Sequence, residues 1–126
     1  MCPESTTIQI GVETEYLEDH SCEDEEQYTF VYTITITNKG ESSLKLLHRH
    51  WQITDGNGKT DEVEGEGVVG RQPTLKPNQP FTYTSSTVLK TPVGVMEGQY
   101  TLQTETGDLL SALIPVFRLA KPNSLH

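Results

Sequence analysis

Two short stretches of this chain hold residues whose types and spacing could do chemistry. The first is His48-Arg49-His50, with two imidazoles on either side of a guanidinium. In an extended strand alternate residues share a face, so His48 and His50 point one way while Arg49 and Trp51 point the other. An imidazole pair at i, i+2 can ligate a divalent metal, but a metal site needs at least one more ligand, and no close sequence neighbour supplies it. The competing reading is a polar pair, partly covered, that hydrogen-bonds to an adjoining loop.

The second is Gly65-x-Gly67-x-x-Gly70, followed at once by Arg71. In a dinucleotide fold this pattern joins a strand to a helix whose N-terminus takes the pyrophosphate. The context here excludes that fold. Pro73 comes three residues after the last glycine, no amphipathic helix follows, and no acid lies between Glu66 and Glu97 to hold a ribose. Two readings of the loop remain. In one, Gly65, Gly67 and Gly70 let the chain turn sharply and pass close to a sheet. In the other, their N–H groups form a nest for phosphate, pyrophosphate or a nucleotide. Arg71, Lys76 and Lys90 then supply positive charge in a stretch, 67–96, without acids.

Little else is reactive. Glu18–Glu26 is acidic but lacks calcium-loop spacing and its central glycine, and reads as a solvated connection. Ser85 and Ser86 sit in no nucleophile elbow. Cys2 and Cys22 form no Cys-x-x-Cys and have no flanking base. No catalytic residue is assigned, and the expectation is a non-enzyme with no cofactor and no bound metal.

Strands must position these residues. Ile8, Ile10 and Val12 alternate with polar neighbours at the two-residue period of a half-buried strand. Over 28–37, Phe30, Tyr32, Ile34 and Ile36 fall on one face and threonines on the other, a β-branched and aromatic composition that suits a sheet. Leu44–Thr54 is a third strand. Asp55-Gly56-Asn57-Gly58 after it signals a hairpin. Pro73, Pro77 and Pro80 make 65–79 a loop, and Pro92 and Gly94 start another. Strands are expected over 81–89, 98–106 and 112–119. Gly98-Gln99-Tyr100 resembles a tyrosine corner, in which the phenol hydroxyl ties a loop to the backbone. No segment shows helical spacing. The expectation is an all-β, two-sheet antiparallel sandwich of about seven strands, forming one domain over 1–126 with frayed tails at 1–5 and 121–126.

The net charge of −9 is unevenly placed: residues 1–41 carry ten of the eighteen acids and one of the nine Lys and Arg. Such a face repels phosphate backbones and argues against nucleic acid as a partner. No apolar run is long enough for a membrane helix, and the first residues lack the basic and apolar regions of a secretory signal, so a cytoplasmic location is expected. Edge strands can pair between copies, which leaves both monomer and dimer open.

Several ordered motifs carry a resemblance. They are Leu47-His48-Arg49-His50-Trp51-Gln52-Ile53-Thr54-Asp55, the stretch 65–73 around the glycines, Tyr83-Thr84-Ser85-Ser86, and Thr91-Pro92-Val93-Gly94-Val95-Met96-Glu97-Gly98-Gln99-Tyr100, closing on Leu125-His126. The chain resembles the ApaG family along nearly its whole length. Glu66 departs from the hydrophobic residue associated with its position there, and puts negative charge beside the glycines. The resemblance implies an immunoglobulin or fibronectin type III-like sandwich. It also implies a link to cobalt tolerance and magnesium efflux, and a domain that serves protein binding. The function expected is therefore a binding or regulatory module with a protein partner. The alternative is a small-anion or nucleotide binder using Gly65, Gly67, Gly70 and Arg71, with His48, Arg49 and His50 as pocket or ligand contacts.

Overall fold

The computed structural model describes residue 5 and residues 7–122; Cys2, the closing Leu125-His126 and the outer parts of both expected tails lie outside the described residues. Eight strands follow in order: β1 (Ile8–Tyr16), β2 (Tyr28–Asn38), β3 (Leu44–Asp55), β4 (Thr60–Glu66), β5 (Thr74–Leu75), β6 (Pro80–Leu89), β7 (Val93–Gln103) and β8 (Leu109–Ala120). They form two antiparallel sheets. One has the order β1-β2-β6; the other has β4-β3-β7-β8, with the short β5 beside β4 on the same edge of β3. This is the all-β, two-sheet antiparallel sandwich that the sequence predicts, with eight strands where about seven are expected.

The alternation in β2 explains the core. Phe30, Tyr32, Ile34 and Ile36 are all buried, while the intervening residues are half-buried. From the opposite sheet Leu46, Trp51, Met96, Tyr100, Leu102, Ile114 and Leu119 join the same cluster. Each large apolar side chain so buried contributes roughly 1.5–3 kcal/mol. Trp51 is the hub. Tyr32 meets it edge-on at 5.5 Å between ring centres, Phe117 at 5.8 Å and Tyr100 at 6.5 Å, the geometry that the ring quadrupole favours. On the outer face of the three-stranded sheet the threonines satisfy one another, with Thr33 to Thr84 at 3.0 Å and Thr35 to Thr82 at 3.1 Å between hydroxyls.

Four local expectations need correction. Gly65 is not in a loop: Thr60–Glu66 forms β4, pairing along β3 from Thr54↔Thr60 to His48↔Glu66. The segment has one apolar residue, Val63, so periodicity gives no signal. The hairpin sets its register instead, with Asp55 Oδ1 accepting from the N–H groups of Asn57 and Lys59. Likewise β7 starts at Val93 and not after the Pro92–Gly94 segment, because β3 offers a partner for every residue from Val95 to Glu97. Gly94 fits there because a Cβ would lie 2.8 Å from the Thr54 carbonyl oxygen and 2.7 Å from the Leu89 side chain. Tyr100 makes no corner to the backbone; its hydroxyl bonds to the hydroxyl of Tyr83 in the other sheet. Finally, Lys121 is tied down. Its N–H donates to the Pro92 carbonyl at 2.8 Å, and its Nζ meets Glu23 Oε1 at 2.7 Å.

Candidate functional site

The sequence candidates divide between the two faces of β3. His48 and His50 point outward from the larger sheet, beside the acidic edge strand β4. His50 Nε2 lies 3.2 Å from Glu62 Oε1 and 3.7 Å from Glu64 Oε1, contacts that become ion pairs when the imidazole is protonated. His48 stands opposite Glu66 in the ladder. The hairpin signal at Asp55–Gly58 implies a returning strand but not its extent or register, so the pairing of these acids with the histidines appears only in the structure. Even so, among the described residues no three His, Cys, Asp or Glu side chains gather into a metal-holding group.

Arg49 points the other way, into the space between the sheets, and is half-buried. Its Nη1 donates to the carbonyl oxygens of Glu66 at 3.1 Å and Gly67 at 3.0 Å. Gly65, directly across the ladder, makes room for it: a Cβ there would come within 2.7 Å of Nη1. Two glycines of the motif therefore seat Arg49, one by its missing side chain and one by its carbonyl.

The rest of the glycine motif builds a tight hairpin. Val69 and Gly70 have φ of +42° and +78°, the left-handed pair that a two-residue hairpin turn requires. Val68 and Arg71 exchange both backbone hydrogen bonds across it, at 2.7 and 2.9 Å. The N–H of Gly67 donates to the Leu47 carbonyl at 2.8 Å. Gly67 admits no other residue, since its φ is +60° and a Cβ would sit 1.9 Å from the Arg71 carbonyl oxygen. Three of the N–H groups that an anion nest would draw on, those of Gly67, Val68 and Arg71, are thus engaged within the fold. Arg71 itself is exposed, with its guanidinium carbon 6.0 Å from the centre of the Phe81 ring.

Two further features are absent from the sequence expectations. Tyr83 and Tyr100 share a buried hydroxyl pair. Burial pushes the Tyr83 phenol up to about 12, and burial next to Tyr83 pushes Tyr100 higher still, so both stay protonated at neutral pH. The second feature is Ser85 and Thr87 on the inner face of β6, which line one space with Arg49. Their spacing, two apart from Tyr83 and Leu89, was the available signal.

The strand order defines a class first: an all-β, two-sheet antiparallel sandwich, with the candidate residues on β3, on β4 and in the hairpin that follows β4. The comparisons with known proteins then name the family. The profile of the ApaG domain matches residues 18–104. Protein ApaG of Shewanella oneidensis is 53% identical over 120 residues, covering 95% of each chain. Protein ApaG of Photobacterium profundum is 52% identical over 120 residues, covering 95% of this chain and 94% of its own. A solved structure from Bordetella pertussis superposes with a TM-score of 0.90 at 40% identity, covering 98% of both chains. This chain belongs to the ApaG family.

Proposed function

We propose that this protein is a non-catalytic binding module of the cytoplasm that engages a protein partner. One observation carries the reading. On the outward face of β8, Leu113 and Val116 are 57% and 61% exposed, beside a shallow depression whose rim includes His50, Gln52 and Gln99. β8 ends the strand order of the larger sheet. Apolar side chains grouped with polar neighbours on an outer strand suit a protein partner better than a small solute. The link to cobalt tolerance and magnesium efflux that the family resemblance implies would then run through that partner.

The test is a pull-down from the native cytoplasm, with mass-spectrometric identification, using the wild-type chain and a Leu113→Glu/Val116→Glu variant in parallel. A protein retained by the first and lost by the second supports the reading. Retention that the double substitution leaves unchanged removes this face from it, and no specific retention counts against a binding module.

The second reading places pyrophosphate or a nucleotide at Gly65, Gly67, Gly70 and Arg71. The exposed guanidinium of Arg71 beside the hairpin favours it. The engaged N–H groups and the adjacent Glu66 oppose it.

A further inference from the structure

The two sheets come together where β1 runs beside β8, and stand apart along the opposite edges, β4 and β6. Between those edges opens a slot of about 160 Å³. Tyr32, Trp51 and Val63 form its apolar walls, and Arg49, Ser85 and Thr87 its polar groups. Val63 is on the inner face of β4 and yet 42% exposed, because the slot is open to solvent on that side.

Arg49 is unusual in this position. Its neighbours on the same face of β3 are Trp51 and Ile53, and charged side chains rarely go inward unless paired. Among the described residues no carboxylate lies within 4.0 Å of it; the ion pairs present belong to His50 and Lys121. Two carbonyls hold Nη1 and fix the plane of the guanidinium. Nε and Nη2 make no hydrogen bond with the described residues. They form the two-pronged edge that fits a pair of oxygens.

Across the slot, Ser85 and Thr87 contrast with the hydroxyls on the other face of β6. Thr82 and Thr84 are satisfied by Thr35 and Thr33. The hydroxyls of Ser85 and Thr87 make no hydrogen bond to the described residues and remain open to solvent. Ser85, Thr87 and Arg49 thus line a single space, and neither the two hydroxyls nor Nε and Nη2 have an acceptor among the described residues.

We propose that this slot binds a carboxylate. The Nε and Nη2 edge of Arg49 takes its two oxygens, Ser85 and Thr87 donate to the remaining lone pairs, and the Tyr32, Trp51 and Val63 walls cover a short apolar stem. An ionised carboxylate only accepts hydrogen bonds, which matches three donor groups. Its single charge matches a single cation. A phosphate dianion would leave one negative charge unbalanced by Arg49, in a chain of net charge −9. The glycine motif then serves a ligand indirectly: Gly65 and Gly67 hold Arg49 in place, and their own N–H groups do not receive the anion.

The test is a two-dimensional ¹⁵N NMR titration of the full chain, following the backbone amides and the Arg49 Nε–H. Sodium propionate is the probe, with chloride and phosphate at matched ionic strength. The expected result is one saturable curve shared by Arg49, Ser85 and Thr87, with a Kd on the order of millimolar. Ser85→Ala/Thr87→Val, which leaves the Arg49 seat intact, weakens it by at least about tenfold, the loss expected from removing two hydrogen bonds to a charged group. Arg49→Lys keeps the charge, removes the fork and abolishes saturation. A short peptide with a free C-terminal carboxylate, set against its amidated form, separates a chain terminus from a free organic acid as the source of the group. Shifts that chloride reproduces, tighter saturation by phosphate, or shifts confined to Gly67–Arg71 would each overturn the proposal.

Discussion

The hydroxyls of Tyr83 and Tyr100 meet in the buried centre of the sandwich and join β6 of one sheet to β7 of the other. Because each is the other's partner, removing one strands its mate. Tyr83→Phe or Tyr100→Phe alone is expected to destabilise by about 1–3 kcal/mol, the cost of an unsatisfied buried hydroxyl. The double Phe variant should be closer to the wild type than the two single losses combined, since both polar groups leave together. Urea unfolding of the four proteins completes the cycle. Additive losses would mean that the two hydroxyls are not coupled.

The same pair sets the behaviour in alkali. Burial raises both phenols above the ordinary value of 10.0, Tyr83 to about 12 and Tyr100 further. The folded state therefore holds these protons more tightly than the unfolded chain. Their contribution is fully present below pH 10 and is lost as pH rises through the raised folded values. Stability should fall from about pH 10 upward, and the double Phe variant should show a shallower fall. Equal alkaline slopes for the two proteins would contradict this.

Trp51 is 2% exposed and touches three aromatic rings. Trp51→Ala is expected to cost about 3–5 kcal/mol, the range for large-to-small changes in a packed core. Equilibrium denaturation measures it. A loss below about 1 kcal/mol, typical of surface positions, would place the ring outside the core.

The glycine hairpin separates a structural role from a ligand-binding one. Gly67→Ala meets both a positive φ and the Arg71 carbonyl, and should destabilise the fold strongly. Arg71→Ala loses one exposed cation–ring contact, about 0.5–1 kcal/mol at most. If the hairpin binds pyrophosphate, Arg71→Ala should instead reduce that affinity with little loss of stability, and binding should weaken with salt. Calorimetric titration of both proteins with pyrophosphate decides between the two outcomes.

The sequence by itself determined the architecture and much of the core. Period-two alternation in 28–37 marked Phe30, Tyr32, Ile34 and Ile36 as one inner face, and it marked Arg49 and Trp51 as sharing a face in β3. Alternation is a property of one strand, so a single chain segment reveals it. What the sequence could not reveal was pairing. β4 has almost no apolar pattern and exists because β3 and the Asp55 hairpin provide a template. Its acids reach His50, and its Gly65 admits Arg49, only through that pairing. Tyr83 and Tyr100 likewise sit in different sheets, and Ser85 and Thr87 face Arg49 across a gap that appears only when the sheets stack with one side open. Contacts between strands depend on register and on which edges meet, and those are settled by the packing of the whole molecule, not by any local run of residues.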